Sequence, residues 1–169
     1  VAPDRLRFDF SHVQAVTPEQ LAEVEGQVNA QIRADLSVDT VETSYDDAVS
    51  RGAMALFGEK YGDDVRMVEV TGTSVELCGG THSARTGEIG LCKVISEGSV
   101  AQGVRRIEAV TGRGSEEYVR ELEQLRAAVA GMLKAQPGEV HERVAKLVSD
   151  RRALVKQIDD KVGQIIQAL

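Results

Sequence analysis

The sequence predicts an α+β fold, an antiparallel sheet with packed helices followed by an α-helical hairpin. Two observations carry that prediction. Up to residue 111, short apolar runs alternate at the period of strands between glycine-rich turns, with one well-signalled helix among them. From Ser115 onward the apolar residues step by three and four, which is the period of helix. Gly112-Arg113-Gly114 marks the change, so residues 1–114 and 115–169 read as separate domains.

Leu6, Phe8 and Phe10 alternate with Arg5, Arg7 and Asp9, as in a strand with one buried face. Thr17-Pro18-Glu19-Gln20 then has the form of a helix start, with Thr17 as N-cap, Pro18 at the first helical position and Gln20 closing a capping box. Leu21, Val24, Val28 and Ile32 share one face, so this helix should run to about Ala34 and pack on the sheet through that face. Val38 to Thr43 reads as a strand, and Ser44 or Asp46 can cap a short helix ending at Gly52. Strands follow at Arg66 to Thr71 and Thr73 to Cys78, turning through Gly72, then at Leu91 to Glu97 and Val104 to Thr111, with the turn expected across Gly98 to Gly103. Beyond the boundary, Leu122, Leu125, Val129 and Met132 mark one amphipathic helix. Pro137-Gly138 breaks it, and a second stripe runs from Val140 through Leu154 and Ile158 to Leu169, interrupted by Arg151. A hairpin of these two helices is expected, with self-association through the C-terminal helices as the competing reading.

No apolar run is long enough to span a bilayer and no basic-then-apolar start suggests a signal peptide, so no membrane association and a cytoplasmic location are expected. Cys78 and Cys92 are then expected to be reduced, with Cys92 a core residue of its strand. The net charge of -7 is unevenly distributed. Residues 1–84 hold six basic against fifteen acidic side chains, 85–114 hold five against three, and 115–169 are balanced. The middle stretch is thus the mildly basic one, the place where a nucleic-acid phosphate would meet positive charge if this acidic chain bound one. Arg105 and Arg106 are its adjacent arginines, and on a strand they point to opposite faces, leaving one for a phosphate and one for structure. The alternative is that they are solvated, or ion-paired with Glu97 or Glu108.

The most informative stretch is Cys78-Gly79-Gly80-Thr81-His82, which brings a thiol and an imidazole together across a loop of minimal bulk. Paired glycines disfavour helix, so the motif reads as a strand end and loop. Zinc is held by four donors, or by three with a position open for water, and Cys-x3-His supplies two. On spacing alone, a buried structural cysteine beside a hydrogen-bonded histidine remains open.

The surroundings add a resemblance. Glu76-Leu77-Cys78-Gly79-Gly80-Thr81-His82, followed by Arg85-Thr86-Gly87 and Ile89-Gly90-Leu91, resembles the editing domain of the alanyl-tRNA synthetases. Arg5 to His12, Gly52 to Tyr61 and Gly103 to Gly112 are similar to further segments of that family in the same order, so the resemblance covers about residues 4–114. It implies that 1–114 is an editing domain incomplete at its N-terminus, and that 115–169 is the helical connector. In the family the Cys-x3-His half is partnered by an upstream His-x3-His half. That half has no counterpart among His12 and His141, so the chain is expected to be a piece of a synthetase that binds zinc weakly and is inactive alone.

The activity implied is hydrolysis of alanine tRNA mischarged with serine or glycine at its 3′ end, within an enzyme that ligates alanine to tRNA using ATP. In this reading Cys78 and His82 are the metal ligands and catalytic residues. Gly79, Gly80 and Thr81 form the substrate loop, zinc is the cofactor, and Arg105 and Arg106 are the RNA contacts. A threonyl-type editing domain, a non-catalytic tRNA-binding module and a coiled-coil adaptor are the alternatives. The Gly-Gly-Thr filling and the Gly52 to Gly58 segment favour the alanine enzyme.

Overall fold

The computed structural model describes residues 5–54 and 62–167. The part of the Gly52 to Tyr61 resemblance beyond residue 54, and the Leu169 end of the last apolar stripe, lie outside the described residues. The chain divides into two compact units, Val1–Glu116 and Glu117–Leu169.

In the first unit the strands are antiparallel, as expected, and are divided between two three-stranded sheets. One joins β1 (Leu6–Ser11), β6 (Val104–Thr111) and β5 (Cys92–Ala101) in that order; the other joins β2 (Val38–Ser44), β3 (Asp64–Val70) and β4 (Ser74–Leu77). Each has its own small core. Ile32, Cys92 and Ala109 are buried together with Leu6 against them, and Ala48, Ala53, Val65, Met67 and Leu77 form the other cluster. The short helix α2 (Tyr45–Ser50) supplies Ala48 to the latter, and Ser44 caps it by accepting the Asp47 N–H at 3.2 Å.

Helix α1 (Pro18–Arg33) starts as its capping box predicts: the Gln20 N–H donates to Thr17 Oγ1 at 3.2 Å and the Thr17 N–H to Gln20 Oε1 at 3.0 Å. Its seated face differs from the expected one. Of Leu21, Val24, Val28 and Ile32 only Ile32 is buried, because α1 lies on the outer edge of β5 through Glu25 and Asn29 instead. Asn29, only 8% exposed, donates to Cys92 O at 2.8 Å and accepts from Cys92 N–H at 2.9 Å. One turn earlier, Glu25 accepts the Val94 N–H at 2.8 Å and Lys93 Nζ at 2.7 Å. Residues 92 and 94 are the alternate positions whose backbone groups an edge strand leaves unpaired, and two side chains one turn apart satisfy them.

Three more expectations are refined. Phe8 is 58% exposed and stacks on Phe10 at 6.0 Å between ring centroids, so the apolar face of β1 is covered only towards Leu6. β5 continues through Gly98 to Ala101, absorbing irregularities near Ile95 and Val100, and the turn falls on Gly103, which takes φ +71°. Helix α3 (Gly112–Leu133) begins on the glycines that mark the boundary in the sequence. Gly112 takes φ +51°, and a Cβ on Gly90 would stand 3.0 Å from Gly112 Cα, so two backbones cross there without room for side chains. Ser115, fully buried, lies 2.7 Å from Leu91 O and 2.9 Å from Val110 O and shares its hydroxyl proton between them.

In the second unit α3 ends where Lys134 takes φ +50°. A turn at Pro137–Glu139 leads into α4 (Val140–Gln167), of which no described residue is buried. Its Leu154, Ile158 and Ile165 are each more than half exposed.

Replacing Asn29 by alanine should destabilise the protein by about 2 kcal/mol, because the outward amide and carbonyl of Cys92 lose their partner in a buried place. Urea unfolding monitored by circular dichroism reads this directly. A loss under about 0.5 kcal/mol would show that water replaces the amide without penalty.

Candidate functional site

The Cys78–His82 segment leaves β4 as a loop whose two ends are both tied down. At the near end β3 and β4 pair with Met67 opposite Leu77, and the Cys78 N–H donates to Arg66 O at 3.0 Å. The Arg66 guanidinium then reaches over the loop, with Nη1 donating to Cys78 O at 3.2 Å and also to Gly80 O. At the far end Val38 N–H donates to Ala84 O at 2.9 Å, and Thr86 N–H donates to Leu36 O at 2.9 Å. Thr86 is buried; its hydroxyl accepts the Leu36 N–H and donates to Gln31 O, both at 2.8 Å. Arg85 pairs with Asp35 at 2.7 Å, and a Cβ on Gly87 would sit 2.5 Å from that same carboxylate, so a side chain there would displace Asp35 from its place.

Between these anchors Cys78 and His82 flank Gly80. A Cβ on Gly80 would lie 3.5 Å from Cys78 Sγ and 4.0 Å from His82 Cε1, so thiol and imidazole border one small volume that glycine leaves open. Cys78 is half-buried, while Gly79, Gly80, Thr81 and His82 are exposed. Chemically this is a thiol and an imidazole ring on one loop, two groups of the kind zinc takes as donors. Among the described residues no group of three or more His, Cys, Asp or Glu side chains converges to hold a metal ion.

Cys92 is a contrasting cysteine. Burial, with the Glu25 carboxylate nearby, pushes its thiol above the ordinary range, as suits a core residue.

The two arginines do point to opposite faces, and both are engaged. Arg105 grips Glu97 with two bonds of 2.5 and 2.6 Å, in a pair whose side chains are 16% and 7% exposed. Arg106 grips Asp9 the same way at 2.6 and 2.7 Å and is 35% exposed. The hydrogen bonds from these guanidinium groups hold Glu97 and Asp9 below the usual carboxylate range and raise the arginines further. The backbone N–H of Val16 adds to the effect on Glu97.

Arg66 escapes the sequence analysis altogether. The signal was available, since a hairpin centred on Gly72 sets residue 66 across from residue 78.

This loop is matched as part of a known domain. Residues 65–108, from β3 through Cys78 and His82 into β6, match the threonyl and alanyl tRNA synthetase second additional domain. That defines the class as the additional domain that these two kinds of aminoacyl-tRNA synthetase share. The chain is 53% identical over 164 residues to the alanine-tRNA ligase of Nitratidesulfovibrio vulgaris, covering 97% of this chain and 19% of that protein. It is 52% identical to the alanine-tRNA ligase of Aromatoleum aromaticum and 47% to that of Chloroflexus aurantiacus, each over 94% of this chain and 18% and 19% of the relative. The chain belongs to the alanyl-tRNA synthetase family and spans about a fifth of the length of these relatives.

Two measurements follow from the contrast between the cysteines and from the ion pairs. In the native protein an exposed-thiol reagent should modify Cys78 and leave Cys92 untouched until urea unfolds the chain; equal rates at both would contradict the buried placement of Cys92. For Glu97 the folded value lies below the unfolded one. Its stabilisation is therefore present above the ordinary glutamate pKa of about 4.3 and lost as pH falls through the lowered value. The stability gap between the native protein and Glu97→Gln should be widest near neutrality and close in acid. A gap independent of pH would mean the charge on Glu97 contributes nothing.

Proposed function

We propose that this chain forms the Cys-x3-His half of an editing site that hydrolyses serine- or glycine-mischarged alanine tRNA. The observation that carries the reading is the convergence of Cys78 Sγ and His82 on the open volume at Gly80. A synthetic pocket built for alanine cannot exclude glycine by size and discriminates weakly against serine, so a second, hydrolytic site meets a physical need. The reaction adds water to the ester carbonyl carbon and breaks its bond to the 3′ oxygen, releasing the amino acid and leaving the hydroxyl on the tRNA.

Within this proposal Cys78, as thiolate, and His82, as neutral imidazole, hold zinc together with two donors from outside the described residues. When bound, the ion supplies either activation of water or orientation of the ester. Gly79 and Gly80 let the ester approach the backbone closely, and Thr81, exposed at the rim, offers its hydroxyl to the substrate. Contact with tRNA phosphate falls to Arg105 or Arg106. Arg106 is the more exposed and exchanges Asp9 for phosphate more readily than the enclosed Arg105 exchanges Glu97. The longer protein carries the ATP-dependent ligation of alanine and works in the cytoplasm, where tRNA is charged. The division at 1–114 and 115–169 belongs to the same reading, with residues 115–169 the connector. The uncovered stripe of α4 supports self-association through the C-terminal helices.

The test is release of serine from charged alanine tRNA by the synthetase that carries this segment. Cys78→Ala and His82→Ala should each reduce release to background while alanine ligation persists; full release by either would remove that residue from the chemistry. Arg106→Ala should weaken tRNA binding with a salt slope shallower by about one, and an unchanged slope would remove it from the RNA contact.

A further inference from the structure

We propose that Arg66 is a positioning residue for the Cys78 and His82 donors, holding the glycine loop in its working shape before metal or substrate arrives. How the loop is held is read from the geometry; what the donors do rests on the proposed function above.

The loop needs such a support because its own residues do not supply one. Neither Gly79 nor Gly80 takes a positive φ, and a Cβ on Gly79 would meet nothing within 4 Å, so steric fit does not fix the backbone. Glycine has the widest conformational freedom of any residue, and two in succession give the longest lever for the donors to drift apart. The β3–β4 ladder stops at the Cys78 N–H, before the first glycine. What continues the restraint is a single cation. Arg66 Nη1 donates to the carbonyls of Cys78 and Gly80, one on each side of Gly79. Drawing those two carbonyls to one point fixes the peptide planes between them, and with them the direction in which Cys78 Sγ and His82 face the space at Gly80.

The anchorage of Arg66 suits this task. It lies in β3 between the buried Val65 and Met67, opposite Cys78, and is itself only partly exposed. The planar guanidinium presents its donors in a fixed fork, whereas a lysine ammonium is a flexible point donor, so lysine should restore the clamp in part.

The experiment uses the whole chain with Cd²⁺ as the probe, read by the thiolate-to-metal absorption, and ¹⁵N relaxation of the metal-free loop as a second readout. Arg66→Gln should weaken Cd²⁺ binding tenfold or more, the scale on which groups supporting a metal ligand act, with Arg66→Lys intermediate. Backbone order parameters at Gly79 to His82 should fall from about 0.85 to below about 0.6 in Arg66→Gln, while those of β3 and β4 stay rigid. A folded Arg66→Gln protein with native affinity and a rigid loop would overturn the proposal. Should Arg66→Gln fail to fold, Arg66→Lys decides, because native affinity and native order in the lysine variant overturn the proposal and a reduction in both supports it. The controls separate this from the underlying reading. If Cys78→Ser and His82→Ala leave Cd²⁺ binding unchanged, the donor assignment fails, while the relaxation data still decide whether Arg66 holds the loop.

Discussion

The pair of hydrogen bonds between the Asn29 amide and the backbone of Cys92 is the constraint from which the rest of the first unit follows. An edge strand must satisfy its outward N–H and C=O groups, and here a helix does so with side chains instead of another strand. Seating α1 by Asn29 and Glu25 fixes its rotation, which buries Ile32 against Cys92 and Ala109 and turns Val24 outward. It also fixes where α1 ends. From Asp35, at φ +51°, the chain passes beside Thr86 and enters β2, so the far end of the Cys-x3-His loop hangs on the helix through Thr86, on Asp35 through Arg85 and on β2 through Ala84.

The loop is thus held by two different kinds of bond. At one end a side-chain cation gathers carbonyls; at the other a buried hydroxyl and backbone bonds tie it to the α1–β2 connection. The segment between holds two glycines and the exposed Thr81. The two donors thus sit near the surface, while Thr86, one of the supports, lies buried. The two cysteines show the same logic, since Cys92 is closed off by packing and by the Glu25 charge whereas Cys78 borders open space.

The local features were legible in the sequence because local chemistry decides them. The Thr17 capping box, a cap at Ser44 or Asp46, and the glycine turn at 72 each depend on a few neighbouring residues. The Cys78 and His82 pair was legible for the same reason, a short spacing with nothing bulky inside it. What the sequence did not disclose depends on partners far along the chain. The seating of α1 turns on Cys92, 63 residues beyond Asn29, and the partner of Arg106 is Asp9, 97 residues before it. Glu97 was one of the two carboxylates, with Glu108, open to these arginines in the sequence, because the β5–β6 turn keeps it near; Asp9 was not, because no periodicity announces that β1 lies beside β6. Splitting of the strands into two sheets is likewise a matter of pairing, to which alternation is blind.

The central claim is that thiol and imidazole border one volume at Gly80. Proton NMR of the metal-free chain tests this most directly. The account predicts nuclear Overhauser contacts from the Gly80 Hα protons to both the Cys78 Hβ protons and the His82 ring proton on Cε1. Sequential contacts alone, with His82 showing none to Gly80, would contradict it and leave the two side chains as separate surface groups.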